Sequence, residues 1–439
     1  MQGQHTKSTS PSGVYVLRGI LAAALALTAL IVTLFPNSSA NSGNPIDQVL
    51  REAVGEKKVP GVVAMVAVED HVTYQGASGK RDTIKNIPMS IDSIFRIASM
   101  TKPITSVAVM QLVENGRVKL DEPGATYLPD LSQVQVLEEF DAGTGNAKLR
   151  PPKSPPTVRQ LLTHTSGYVY EFFDPKMQAY AASGAVPSIR QGDGGFLKAP
   201  ILFDPGTRWE YGISTDVLGR LVEKVSGQTL EEYFRRHIFQ PLGMTDTFFD
   251  VPPDKQTRVV ALDMRQEDGS FVEPPPQPFQ PVRFYSGGGG LYSTASDYLK
   301  FERMVLGGGK LDNKRILQSD TVNEMTRNQI GDLTLPEMRS FVPQFAKDPI
   351  HVPGSLDKFA LGFAINTKPV EGGRSGGSLA WAGIYNTFFW IDPPRKTCAV
   401  ILMQILPFGD DGANSVVEHF ERAVYASPAS AVAAGGRSH

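Results

Sequence analysis

Ser99-Met100-Thr101-Lys102-Pro103 heads a long apolar run, continued by Ile104, Val107, Ala108, Met110, Leu112 and Val113 and stopped by the helix-ending pair Asn115-Gly116. Apolar residues fall on nearly every face of the helix this run predicts, so the helix belongs in the interior and the chain must fold around it. Its first turn nevertheless carries a hydroxyl and an amine. Positions i and i+3 share a helical face, so Lys102 can reach the Ser99 hydroxyl. Pro103 lacks a backbone donor and is tolerated only near a helix start, which puts Ser99 at the exposed mouth.

Serine is a poor nucleophile until something removes its proton. A solvated lysine with a pKa near ~10.4 is neutral in about one molecule per thousand at neutral pH, a handicap of roughly 4 kcal/mol. Burial disfavours the ammonium and lowers that pKa, so an apolar helix is a sensible mount for a lysine base. The spacing S-x-x-K also arises by chance, with a lysine that merely snorkels to solvent. The remaining residues have to decide.

With 439 residues, 41% hydrophobic and 20% charged, and a formal charge of −2, the composition is that of a soluble globular protein. No Lys/Arg cluster marks a nucleic-acid binder. The single cysteine, Cys398, lies in the apolar run from Thr397 to Leu402 and is read as core packing. The histidines (5, 71, 164, 237, 351, 419 and 439) show no metal-ligand spacing, so neither a metal site nor a cofactor is expected. At the N-terminus, Lys7 and Arg18 precede an apolar stretch from Gly19 to Phe35 that ends at Pro36, and Ser38-Ser39-Ala40 supplies small residues for a signal-peptidase cut. Residues 1–40 are therefore expected to be a signal peptide or, uncleaved, a membrane anchor. In either case the body lies outside the cytoplasm, periplasmic or secreted.

Gly61 to Val68 reads as a buried strand, Glu69-Asp70-His71 as a turn and Val72 to Ala77 as the returning strand. Residues 129–156 form an irregular excursion, after which Thr157 to Gln160 has capping-box spacing and opens a short helix ending near Gly167. Its His164 is a rival base, read as a structural residue at the helix end. Further helices are expected from Asp216 to Val225, from Thr229 to before Pro241, and from Ser293 to Leu306. Gly287 to Gly290 is read as a tight turn, since no lysine follows it as in a phosphate loop. Phe359 to Thr367, Ser378 to Asp392 and Thr397 to Gln404 look like consecutive antiparallel strands, followed by a helix from Asn414 to Tyr425. The pattern predicts an α/β protein of the α+β type. An antiparallel sheet is built from both chain ends (about 45–115 and 285–425) with flanking helices, around a mainly helical insert (about 116–284). Residues 41–425 make one unit, and 426–439 a flexible tail.

The residues resemble the penicillin-recognising serine hydrolases, in particular the class C β-lactamase-like branch, over about residues 45–425. The landmarks are Ser99-x-x-Lys102, Leu161-Leu162-Thr163-His164-Thr165-Ser166-Gly167, Tyr211, Gly287 to Thr294, and Trp381-Ala382-Gly383. The resemblance implies that Ser99 is the acylated nucleophile and Lys102 its partner in proton transfer. It makes Tyr211 the phenol or phenolate that relays a proton to the leaving group, ionising more readily beside the Lys102 ammonium. It also implies an oxyanion hole from the backbone donors of Ser99 and Ile384.

Two departures bear on the substrate. Where penicillin-cleaving relatives usually carry a lysine or histidine, then a small residue and glycine, this chain has Trp381-Ala382-Gly383, apolar surface in place of a cation. Where they carry an asparagine two residues after the tyrosine, it has Ile213. Both changes disfavour anionic amides and favour small neutral esters, and both are similar to family VIII carboxylesterases. A different serine motif, Gly373-Arg374-Ser375-Gly376-Gly377 followed by Asp392 and His419, matches G-x-S-x-G but lacks the preceding apolar strand and following helix that a nucleophile elbow needs.

The expected function is thus an exported carboxylesterase acting on a small-molecule ester through a Ser99 acyl-enzyme, with Trp381, Ala382, Gly383 and Ile213 shaping the substrate site. The same machinery would serve a β-lactamase, a D-alanyl-D-alanine peptidase or an acyltransferase. A reading of another class is an inactive β-lactam sensor that stays acylated, which the intact Ser99, Lys102 and Tyr211 set disfavours. The sequence sets no oligomeric state.

Overall fold

A run as apolar as Gly61-Val62-Val63-Ala64-Met65-Val66-Ala67-Val68 needs cover on both sides, and strand β1 (Gly61–Val68) has it: every residue is buried. Alternate residues of a strand point to opposite faces. Val63, Met65 and Ala67 accordingly join one apolar core, while Val62, Ala64 and Val66 join a second.

The computed structural model describes residues 43–275 and 279–426, so the expected leader and residues 427–439 of the expected tail lie outside the described residues. The strands of the main sheet are β1, β2 (His71–Asp82), β3 (Ile87–Pro88), β4 (Lys358–Phe359), β5 (Ala364–Asn366), β6 (Ser378–Gly383), β7 (Thr387–Asp392) and β8 (Thr397–Leu402). Their order is β4-β5-β6-β7-β8-β1-β2-β3. Neighbours run antiparallel, and β1 lies against β8 in the register Val63↔Leu402, Met65↔Val400 and Ala67↔Cys398. The first and last thirds of the chain therefore meet at the sheet's centre, as the α+β reading expects.

The helices that matter for the site are α1 (Pro45–Gly55), α2 (Thr101–Glu114), α3 (Ser214–Ser226), α4 (Ala295–Leu306) and α5 (Asp411–Ala426). Leu50 and Ala53 of α1 and Val416 and Phe420 of α5 pack with Ala64, Trp390 and Ile401 on one face of the sheet. Helices α2 and α4 contribute Ile104, Val107, Leu299 and Met304 to the core on the other face, with Met65, Phe389 and Val400. From Thr101 to Met110 every residue of α2 is buried, the all-round burial its sequence demanded.

Several boundaries differ from the sequence reading. Ser378 to Asp392 is not one strand but the hairpin β6–β7. Asn386 makes that turn with φ +58°, held by its side-chain amide donating to the carbonyls of Ile405 and Pro407 at 2.9 Å each. Phe359 to Thr367 is likewise two short strands folded at Gly362 (φ +97°), where a Cβ would stand 2.2 Å from Ser106 Oγ of α2. The helix capped by Thr157 stops at Leu162, before a left-handed His164 (φ +58°). The insert is less helical than expected. It carries a hairpin, Val136–Asp141 with Asn146–Arg150, and a strand, Asp263–Arg265, that pairs in parallel with Ile405–Leu406. Ala426, expected in the tail, is the last residue of α5.

Candidate active site

The approach to Ser99 is strained. Phe95–Arg96 pairs with Tyr292–Ser293, and the chain then enters a 3-10 turn, Ala98–Met100, that runs straight into α2. Ala98 holds φ +42°, a conformation that costs a non-glycine residue ~1–3 kcal/mol and persists only where the surroundings dictate it. What dictates it is close packing: a Cβ on Gly383, at the end of β6, would lie 2.3 Å from the Ile97 carbonyl oxygen. Glycine there lets the strand close on the Ser99 turn.

Lys102 is 1% exposed. Its Nζ reaches the Gly288 carbonyl at 2.6 Å, the Tyr170 hydroxyl at 3.0 Å and Ser99 Oγ at 3.1 Å. Three acceptors satisfy an ammonium's three donors, yet burial outweighs them and brings the pKa down to about 7, against the opposing pull of the Asp216 carboxylate. The glycine tract supplies the acceptor: the Gly288 amide donates to Asp216 Oδ1 at 3.0 Å, and Ser286 Oγ to the same oxygen at 2.6 Å. Asp216, on α3, thus holds the turn whose carbonyl holds Lys102. Burial raises the Asp216 carboxyl, while Lys102, Ser286 and Gly288 pull it back.

Tyr211 precedes α3, and its ring lies 4.7 Å beneath Lys102 Nζ, a cation–π contact rather than a bond to the phenol. The expected easing of Tyr211 ionisation is therefore reversed. Burial dominates and pushes the phenol up, while the Ser99 hydroxyl and the Trp381 indole act downward without completing a hydrogen bond. At rest Tyr211 is a phenol. The phenol that Lys102 does bond belongs to Tyr170, which the sequence reading passed over although it follows the Leu161-to-Gly167 landmark closely. Asp216 was passed over too. Tyr170 meets Lys102 across tertiary space, and Asp216 acts on it through its charge and the Gly288 turn; no local spacing announces either.

His164 stands behind Tyr211, ring centroids 5.0 Å apart, with Phe359 at 5.4 Å. Burial and the nearby Lys102 push its pKa well below the usual imidazole range. It is a neutral packing residue, as expected of it.

Ser99 opens into a cavity of about 600 Å³. Its lining includes the aromatic side chains of Tyr170, Phe172, Phe173, Phe196 and Phe284, the aliphatic ones of Leu335, Met338, Ile350, Val352 and Leu356, and Tyr211, Trp381, Ala382 and Ile384. Two residues expected at the substrate do not line this cavity. Ile213, just before α3, packs in the core beside Val169 and Met177, and Gly212 before it lies against the Tyr168 carbonyl, where a Cβ would stand 2.1 Å from that oxygen. Gly383 acts through its missing side chain, against Ile97.

The second serine motif assembles no triad. Arg374 and Glu421 form a buried ion pair (2.7 and 2.8 Å), the Ser375 amide donates to Asp392 Oδ2 at 2.9 Å, and His419 lies exposed on α5. This is a structural clamp between the β5–β6 loop and α5. Among the described residues no group of side chains is arranged to hold a metal ion.

The family model described as Beta-lactamase matches residues 46–419. The chain is 31% identical over 404 residues to the ML-236A carboxylate methylbutanoyltransferase of Penicillium citrinum, covering 89% of this chain and 96% of that protein. It is 28% identical over 394 residues to the lovastatin esterase of Penicillium rubens, covering 87% and 98%. The solved structure of simvastatin synthase (LovD) from Aspergillus terreus superposes with a TM-score of 0.74 at 32% identity, over 87% of this chain and 97% of that one. With the sheet, the Ser99–Lys102 pair and these matches in agreement, the chain belongs to the beta-lactamase family, as an enzyme of its serine hydrolase and acyltransferase kind.

Proposed function

We propose that the protein takes the acyl group of a neutral carboxylic ester onto Ser99 and passes it to an alcohol or to water. The observation that carries this reading is Lys102 Nζ at 3.1 Å from Ser99 Oγ, with burial bringing that amine to a pKa of about 7. The neutral amine takes the serine proton as Oγ attacks the ester carbonyl. The backbone donors of Ser99 and Ile384, both on the lining of the cavity, hold the oxyanion. Tyr211, kept protonated by burial, gives its proton to the departing alkoxide as the C–O bond breaks. In the second half, the Tyr211 phenolate takes the proton of the incoming alcohol or water as its oxygen attacks the acyl carbon, and the Lys102 ammonium returns its proton to Ser99 Oγ as the bond from Oγ to the acyl carbon breaks.

Apolar walls and a volume of about 600 Å³ suit an acyl group and a sizeable alcohol together better than a short ester alone. The relatives, a methylbutanoyltransferase and a lovastatin esterase, support transfer to oxygen in either direction. Trp381 in place of a cation argues against β-lactams, whose carboxylate it would leave unpaired. The test is turnover of p-nitrophenyl butyrate with and without benzyl alcohol. The wild type should yield butyrate and benzyl butyrate, and Ser99→Ala neither. Nitrocefin cleaved faster than the ester would overturn the assignment. The apolar stretch from Gly19 to Phe35 supports export, with the mature protein beginning at Asn41 if Ala40 is the cut; N-terminal sequencing of the exported form checks that.

A further inference from the structure

Beside Ser99 the Tyr211 hydroxyl and the Trp381 indole nitrogen are buried and without partners, as is the Trp209 indole nitrogen on the lining of the same cavity. Tyr211 and Trp381 are each 8% exposed, both line the cavity, and their rings meet edge to face with centroids 5.0 Å apart. The Trp381 indole N–H is close enough to act on the Tyr211 oxygen, yet no hydrogen bond between them is formed. Buried polar atoms in folded proteins are nearly always satisfied, so a pair left open at the nucleophile fits a group that arrives with the substrate. Their chemistry differs. A phenol donates or accepts, whereas an indole N–H only donates.

We propose that Trp381 selects oxygen over nitrogen at the leaving and accepting position, by donating its indole hydrogen to the heteroatom whose proton Tyr211 handles. The inference rests on the acyl-enzyme reading above and follows from counting lone pairs. In the tetrahedral intermediate of an ester, the leaving oxygen has two. One takes the Tyr211 proton as the C–O bond breaks and its electrons pass to oxygen; the other accepts from Trp381. The leaving nitrogen of an amide has one, which takes the proton, and the indole N–H is left unmet. Attack obeys the same count. An alcohol spends one pair on the acyl carbon, yields its proton to the Tyr211 oxygen and keeps a pair for Trp381, whereas an amine spends the only pair it has. A site built to hydrogen-bond an atom rejects the analogue that lacks the partner, because its own group is stranded. Esters and alcohols are then the substrates, and amides, lactams and amines are turned away at Trp381.

Competition for one intermediate tests this. The acyl-enzyme is formed from p-nitrophenyl butyrate and offered benzyl alcohol and aniline together at mildly alkaline pH, where both are neutral. Benzyl butyrate and butyranilide are then quantified by mass spectrometry. Both products draw on the same acyl-enzyme, so folding yield and acylation rate cancel from their ratio. Trp381→Phe keeps the aromatic surface and removes the N–H, and the ester-to-anilide ratio should fall about tenfold, the size of one lost hydrogen bond. Trp381→His, which restores a ring N–H, should recover part of the ratio. Where Trp381→Phe does not fold, Trp381→Met gives the same comparison without a donor. A ratio unchanged by loss of the N–H overturns the selector while leaving the acyl-enzyme standing. No acyl adduct on the wild-type protein by intact mass overturns both.

Discussion

At the scale of single residues the site is a contest over one proton. Lys102 is buried among acceptors that suit its charged form, and burial still wins, which leaves the amine near half-neutral at physiological pH. The active form is the neutral one, so kcat/KM for a neutral ester should rise with pH through an inflection near the Lys102 pKa of about 7. A rate that falls over that range would contradict the assignment. The Asp216 charge opposes the downward shift, so Asp216→Asn should move the inflection to lower pH and cost activity by loosening the Gly288 turn. The same pH profile reads both effects, and an upward move would refute the coupling. Ser99, Lys102 and Tyr211 were legible because the first two share one helical turn and the third belongs to a family pattern. Tyr170 and Asp216 were not, because their roles exist only once distant segments have folded onto Lys102.

Among elements, the hairpin β6–β7 decides the most. Its turn escaped the sequence reading because Asn386 adopts left-handed φ through bonds to Ile405 and Pro407, partners that local turn rules do not include. The end of β6 must also pass against the Ser99 turn without a side chain. Gly383→Ala would set a Cβ 2.3 Å from the Ile97 oxygen. The expected outcome is a displaced nucleophile and a loss of roughly 100-fold in kcat/KM, the scale of a 1 Å misplacement, read by steady-state kinetics on folded protein. The G-x-S-x-G stretch was rightly read as no elbow, and its value is structural. Arg374 and Glu421 are 2% and 3% exposed, so Glu421→Ala strands a buried guanidinium and should cost about 3–5 kcal/mol in a denaturant titration, with activity per folded molecule retained. Unchanged stability would refute that role.

For the molecule as a whole, the sheet was the most readable part. Strands such as β1, β7 and β8 are buried along their whole length and look it, and antiparallel pairing of the two chain ends follows from where they occur. The insert was least readable. Its short helices, hairpin and loops are held by contacts with one another and with the sheet, and the aromatic wall of the cavity comes from there. Ser99 and Lys102 thus come from the segment following β3, Tyr170 and Tyr211 from the insert, and Trp381 and Ile384 from the C-terminal hairpin. That convergence is what the proposed chemistry requires. The measurement that tests it most directly is intact mass after a slow ester is added, followed by peptide mapping. A single acyl increment on Ser99, absent from Ser99→Ala and decaying faster when an alcohol is supplied, is the predicted result. An increment mapped to another residue, or ester turnover that survives in Ser99→Ala, would contradict the account.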